Sequence, residues 1–309
     1  MVTPRHVALS LGPEEAGKRL DLVLARRLQL GRRRTRELFD DGRVREAGRR
    51  LRKGDSAREG QAVVVQLPAP DLALPEPELA VDVLFASEHC LIVNKPGGQP
   101  TVARRGSDRG TLANALVGRF PELAAVGHGM LEPGLVHRLD VGTSGLVVVA
   151  RTTPAFIALR DGLRRGEWRK RYLAIVSRPP PAKQGKIEGW LFPARHSSRR
   201  VAFSPSPVAD VHARAASCTW EVLERAARAT LVEVEVAKAY RHQVRVLMAS
   251  LGSPLIGDSL YGGEAGTLPV HRHALHASYI AWNGTVLVPG FCVEAALPDE
   301  LLALLRPAR

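Results

Sequence analysis

Residues 137–145 read HRLDVGTSG and run directly into LVVVA at 146–150. The apolar, largely β-branched run predicts a strand buried in the core. A polar loop carrying a carboxylate therefore feeds straight into the interior. Anchored in this way, the loop can aim Asp140 at a substrate with little freedom to wander. An aspartate in a turn ordinarily serves the turn itself. This one stands two residues after Arg138 and is followed by Thr143, Ser144 and Gly145.

Composition narrows the classes of function. The 309 residues, 45% of them apolar, allow one large domain and a small one, each with a core. A net charge of +13 suits a polyanionic partner. The skew of 37 Arg to 7 Lys fits a GC-rich genome as well, but with only 31 acidic residues the positive surplus stands. Cys90, Cys218 and Cys292 show no paired spacing, which points to reduced, buried thiols in a cytoplasmic protein. His271, His273 and His276 lack ligand partners at zinc-site spacing and read as strand or surface residues. No metal site, phosphate-cradling glycine loop, secretion signal or apolar run of about 20 residues is present, so neither cofactor nor membrane is expected.

Four segments are expected: a tail at 1–14, a small domain at 15–67, a Pro-rich tether at 68–80 and a large domain at 81–305. In the small domain, Leu20, Leu24 and Leu28 recur every fourth position, which predicts a helix ended by Gly31. A second helix is expected over Arg33–Asp40, closed by Gly42, with short strands near 43–45 and 61–67. Fifteen basic residues fall between Lys18 and Arg58. The sequence PAPDLALPEPE resists regular structure and gives a semi-stiff tether. In the large domain, Thr111 caps a helix running to Arg119, and Thr153-Pro154 opens one that stops at Gly166. Leu231–Val236 alternates as a half-exposed strand, Arg241–Leu251 reads as a helix, and 178–219 as strands broken by loops.

Several segments together resemble the RluA-like family of RNA pseudouridine synthases. The family's HRLD-x-x-TSG loop is matched by His137, Arg138, Leu139, Asp140, Thr143, Ser144 and Gly145; Val141 stands where an Arg is usual. VNKPGG at 93–98 resembles its NKP-x-G turn, and KRYLAIV at 170–176 its tyrosine strand. AYRHQVRVLMASLGSPLIGDSLYGG at 239–263 resembles "GR-x-HQ-I-R-V-H-L" followed by "GD-x-LYG", and RHALHASYIAW its "R-x-ALHA" strand. Ala239 and Tyr240 replace the usual Gly and Arg, and Arg241 follows them; either Arg241 takes over the lost charge or that charge is gone. Residues 15–67 resemble an αL-type RNA-binding domain through Arg19-Leu20-Asp21, Leu38, Gly42-Arg43-Val44, Gly48, Gly60 and Val63–Val65, and depart from it at Glu46-Ala47.

The resemblance implies an α+β fold: a mixed, largely antiparallel sheet with flanking helices, plus a small N-terminal α/β RNA-binding domain. It implies Asp140 as the catalytic aspartate, Tyr172 as the residue stacking on the base, and Arg245 as the arginine paired with Asp140. Arg138, Arg241, His242 and Lys95, with Arg19, Arg33 and Arg43 of the small domain, are expected to contact RNA. Pseudouridine formation breaks the ribose-to-nitrogen bond, turns the base and rejoins it through carbon, with no redox change and no cofactor needed. It needs an ionised carboxylate, and a neighbouring guanidinium keeps one ionised. The expected substrate is large-subunit ribosomal RNA, handled by a cytoplasmic monomer with no affinity for DNA. Two alternatives stand beside it: a tRNA pseudouridine synthase, or an RNA-binding or assembly factor with a weakened active site.

Overall fold

The computed structural model describes residues 5–68, 72–195, 197, 199–263 and 272–306. The chain divides into two compact units, 1–70 and 71–309. His271 and residues 1–4 of the expected tail lie outside the described residues. No helix among the described residues is long and apolar enough to cross a membrane.

The first unit runs β1 (Arg5–Ser10), α1 (Leu20–Arg27), α2 (Arg32–Asp40), β2 (Val44–Glu46), β3 (Arg49–Arg50) and β4 (Ala62–Leu67). Its sheet has the order β1-β4-β2-β3 and is antiparallel throughout. Leu20 and Leu24 of α1, Leu38 and Phe39 of α2, and Val44, Val63 and Val65 of the sheet form its core. The expected tail is corrected here. Residues 5–10 pair with β4 from Arg5↔Leu67 to Ser10↔Ala62, and Leu11 is buried. The otherwise open edge of β4 recruits this strand, whose own apolar signal is only Val7 and Leu9. Gly31 also has a different role. Helix α1 already ends at Arg27, Gln29 turns the chain with φ 52°, and Gly31 is the extended residue that opens α2.

The second unit runs β5 (Asp82–Ala86), β6 (Cys90–Lys95), α3 (Leu112–Arg119), β7 (Ser144–Ala150), α4 (Thr153–Arg165), β8 (Arg169–Val176), β9 (Gln184–Pro193), β10 (Val201–Ser204), β11 (Arg214–Arg225), β12 (Thr230–Val236), α5 (Gln243–Ser250), β13 (Leu275–Gly284), β14 (Pro289–Glu294) and α6 (Asp299–Leu302). Its strands order as β10-β9-β11-β12-β8-β13-β7-β6-β5, with β14 also on β13. The β7–β13 pair is parallel and the other described pairs are antiparallel. Thus the sheet is mixed and largely antiparallel, as the sequence led us to expect.

Strand β7 is buried at every position, because both of its faces are covered. Leu146, Val148 and Ala150 pack with Phe156 and Leu159 of α4; Val147 and Val149 pack with Leu112 and Leu116 of α3. The Thr111 hydroxyl accepts from Asn114 N to cap α3, Thr152 caps α4, and Gly166 ends α4 at φ 79°. The stretch at 72–80 is not a free tether. Ala73 is buried, Ala73 N donates to Met130 O, and Gly110 N donates to the Glu76 carboxylate. The buried Asn114 amide donates to Leu74 O, so this segment caps the core beside α3. Cys90 and Cys218 are buried, whereas Cys292 is exposed because it points outward from edge strand β14.

His276 is a strand residue of β13, as expected, and His273 lies just before that strand; both are buried and brace the 137–145 loop. The parallel β7–β13 contact has only two paired positions, His276↔Ser144 and Ala277↔Gly145. His276 Nε2 faces Ala295 O at 3.2 Å, an acceptor only, so this nitrogen carries the proton and Nδ1 accepts from the Ser144 hydroxyl at 2.9 Å. His273 Nε2 lies 2.8 Å from the Thr143 hydroxyl. Arg272 donates to Gly142 O at 2.7 Å and to the Ser144 hydroxyl, and pairs with Glu300. Gly145 takes φ 112°, and a Cβ there would collide with the Ala277 backbone.

Two predictions follow from this packing. Removing residues 1–70 leaves a folded second unit, whereas removal to residue 80 also costs several hydrogen bonds and destabilises it by about 2–4 kcal/mol; equal denaturant midpoints for the two truncations would contradict the docking of 72–80. Burial pushes the pKa of both His273 and His276 down to about 4. The unfolded chain takes up these protons near pH 6.5, the folded chain only near 4, so stability falls as pH drops through that window. The melting temperature should fall over this range and fall less steeply in His276→Gln.

Candidate active site

The loop between α3 and β7 carries Asp140 into a cleft of about 570 Å³. Tyr172 enters from β8, Arg245 from the first turn of α5, and His242 from just before it. Tyr172 and Gly145 both pair with Ala277 of β13, which brings the tyrosine strand alongside the aspartate loop. The structure thus gathers Asp140, Tyr172 and Arg245, separated by up to 105 positions, in one cleft.

Arg245 is 5% exposed and is held by two carboxylates. Its Nε and Nη2 donate to Asp258 Oδ2 and Oδ1 at 2.7 and 2.8 Å, and its Nη1 donates to Asp140 Oδ2 at 2.9 Å. Asp258, itself buried, takes the fork and leaves one guanidinium edge for Asp140. Burial disfavours the Arg245 charge, but Asp258 and Asp140 outweigh it and raise its pKa. Asp258 belongs to a segment legible in the sequence, yet no role could be read for it there, because its partner is fixed only by the close of α5 against the following turn.

His242 sits at φ 57°, a conformation that side chains other than glycine rarely adopt, and so turns its ring into the cleft instead of starting the helix. Helix α5 therefore begins at Gln243, two residues later than the sequence suggested. The Tyr261 hydroxyl accepts from Val201 N at 2.9 Å and, because His242 Nε2 faces an acceptor-only carboxylate, gives its own proton to His242 Nδ1, also 2.9 Å away. The remaining proton then lies on Nε2, which faces Asp140 Oδ2 at 3.6 Å. Burial pushes His242 down to about 4, against the pull of Asp140 and with help from Arg245 and Arg241. The Tyr172 hydroxyl is pushed above its ordinary pKa, first by burial and then by Asp140. Among the described residues Asp140 Oδ1 has no hydrogen-bond partner, so one oxygen is committed and the other is open.

The remaining candidates divide. Arg138 is exposed and lines the cleft, as does Arg241, whose Nη2 donates to Arg199 O at 2.8 Å. Tyr240 packs against the core. Lys95 is corrected: it is fully buried and cannot reach RNA. Its ammonium donates to Pro96 O at 2.7 Å, Gln99 O at 2.8 Å and Val141 O at 3.4 Å, and so ties the β6 turn to the aspartate loop. Arg19, Arg33 and Arg43 lie in the first unit and pair with Asp21, Glu37 and Asp41. Tyr261, Arg160 and Lys170 are cleft or support residues that carried no assigned role in the sequence. Lys170 was visible only as a strand opening.

The profile described as RNA pseudouridylate synthase matches residues 89–250. An uncharacterised RNA pseudouridine synthase of Synechocystis sp. is 34% identical over 94% of this chain and 90% of its own length. Ribosomal large subunit pseudouridine synthase D of Xylella fastidiosa is 33% identical over 95% of this chain and 90% of its own, and that of Xanthomonas campestris is 34% identical over the same shares. The solved structure of human RNA pseudouridylate synthase domain containing 1 is similar in fold, with a TM-score of 0.57 at 23% identity over 75% of this chain and 89% of that one. A match of this extent, with identity above 30% along nearly the whole sequence, places the chain in the RNA pseudouridylate synthase family, as an RNA pseudouridine synthase of the RluA-like type.

Proposed function

We propose that this enzyme isomerises specific uridines of large-subunit ribosomal RNA, with Asp140 as nucleophile or base. The large-subunit names of the Xylella and Xanthomonas relatives support the choice of RNA. The observation that carries the role of Asp140 is its divided carboxylate: Oδ2 is tied to Arg245 and faces His242, while Oδ1 is left for the cleft. The ion pair with Arg245 fixes the direction of this carboxylate, and a carboxylate oxygen of fixed direction is what attack at an anomeric carbon or proton removal requires.

The reaction breaks the bond from C1′ to N1 and forms one from C1′ to C5; the proton on C5 leaves and N1 gains one. The uridine must leave its stack before a carboxylate in a cleft can reach it, at a cost of a few kcal/mol. Tyr172 offers a ring on which the base can stack, which recovers part of that cost. Arg138, exposed at the rim, suits a contact to the displaced nucleotide. The basic first unit, with Arg19, Arg33 and Arg43 on its surface, suits additional phosphate contacts.

Asp140→Asn keeps the shape and should abolish tritium release from 5-tritiated uridine in RNA while RNA still binds; activity within tenfold of wild type would remove Asp140 from the chemistry. Mapping pseudouridines in total RNA of a deletion strain against its parent identifies the RNA, and a change confined to tRNA would reject the ribosomal assignment.

The arginine assignments are tested by comparison. Arg245→Met should lower turnover at least a hundredfold, and Asp258→Asn should cost about 3–5 kcal/mol of stability by leaving a buried guanidinium half-paired. Arg241→Met should lower turnover less than Arg245→Met. A larger loss of turnover at Arg241 than at Arg245 would reverse the two roles.

A further inference from the structure

Two buried lysines in this unit differ in one respect. Lys95 has three carbonyl acceptors. Lys170, only 4% exposed, has no hydrogen bond or ion pair among the described residues, although it lines the cleft. The Lys170 ammonium is not among the buried atoms left without a partner, so its stem is buried while its charged end opens on the cleft. Burial lowers the Lys170 pKa to about 8. Lys170 is the second residue of β8 and stands two residues before Tyr172, so the two side chains leave the same face of the strand.

The surroundings of Lys170 show what would complete it. Arg160 reaches the cleft from α4, with Nη1 on Val136 O at 3.1 Å. Both Lys170 and Arg160 lie close enough to His137 to add to the burial that holds its imidazole neutral. Arg138 is the next residue along. Among the described residues Asp140 is the one carboxylate lining this cleft, and its Oδ2 is already committed to Arg245. Lys170, Arg160 and Arg138 bring side-chain donors and no side-chain acceptor. A uracil edge would need an acceptor for its N3–H; a phosphodiester presents acceptor oxygens and negative charge.

We propose that Lys170 and Arg160, together with Arg138, form a subsite for a backbone phosphodiester flanking the displaced uridine. The inference rests on the reading of the cleft as the site of uridine isomerisation. Lys170 then receives its acceptor from the substrate, and the nucleotide is gripped next to the ring on which its base stacks.

The probes are uridine 3′,5′-bisphosphate and uridine, titrated at low salt into the full-length protein by calorimetry or NMR. Wild type should bind the bisphosphate at least tenfold more tightly than uridine. Lys170→Met should weaken the bisphosphate about tenfold and leave uridine unchanged, and Lys170→Arg should keep the preference. An equal loss for both probes would move Lys170 to a base or ribose contact and overturn the subsite. An unchanged bisphosphate affinity would overturn it too. If circular dichroism shows that Lys170→Met does not fold, Arg160→Met decides: a selective loss of bisphosphate binding supports the subsite, and no change overturns it. Wild-type tritium release separates the two claims. An active enzyme whose phosphate preference survives Lys170→Met rejects the subsite alone.

Discussion

The fork between Arg245 and Asp258 is the interaction on which the rest of the cleft depends. A guanidinium with two nitrogens already bound has one geometry left for its third, and Asp140 occupies it. Were Asp258 absent, Arg245 would either close on Asp140 with its whole fork or turn toward solvent. In the first case both oxygens of Asp140 would be occupied; in the second none would be held. The buried carboxylate thus keeps Asp140 oriented and half free. Such a triad is costly to assemble in a protein interior, because each ion loses its water. Its three bonds to one cation and the closing of α5 against the turn that carries Asp258 offset that cost.

A second constraint acts from the other side of Asp140. The loop is fixed to the sheet by Lys95 through Val141, by Arg272 through Gly142, and by His273 and His276 through Thr143 and Ser144. Lys95 comes from the end of β6, and Arg272, His273 and His276 come together from the stretch that enters β13. The parallel contact between β7 and β13 is too short to hold the loop by ladder bonds alone, and neutral, buried histidines supply what the ladder lacks. Rigid backing on one side and a fixed cation on the other give the carboxylate little room to rotate. In the role proposed for Asp140, mobility of the aspartate would cost catalysis, since a displacement of about 1 Å can lower rates by two orders of magnitude.

His242 joins the two halves. Its left-handed backbone and the carboxylate of Asp140, with the hydroxyl of Tyr261 at the other nitrogen, set one tautomer. The proton that results points at the oxygen of Asp140 already bonded to Arg245. The strain of that backbone conformation is of the order of 1–3 kcal/mol, and it is spent where a regular helix start would have turned the imidazole away.

The local sequence was enough for the elements and for most of the site. The uninterrupted run at 146–150 gave a buried strand, Thr111 and Gly166 marked helix ends, and the period-two pattern at 231–236 gave a half-exposed strand, because each depends on neighbours within a few residues. The motifs brought Asp140, Tyr172 and Arg245 into view together through their resemblance to a family. What needed the tertiary structure was every decision made by a distant partner. Lys95 reads as a surface cation until its three carbonyl acceptors are seen; Lys170 reads as a strand residue until none is. Residues 5–10 read as a tail until the edge of β4 claims them. Asp258, His273 and His276 acquire roles only from groups at 13, 130 and 132 positions' separation. Periodicity reports which face is buried; it carries no information on which buried polar groups meet, because that is set by how the chain closes on itself.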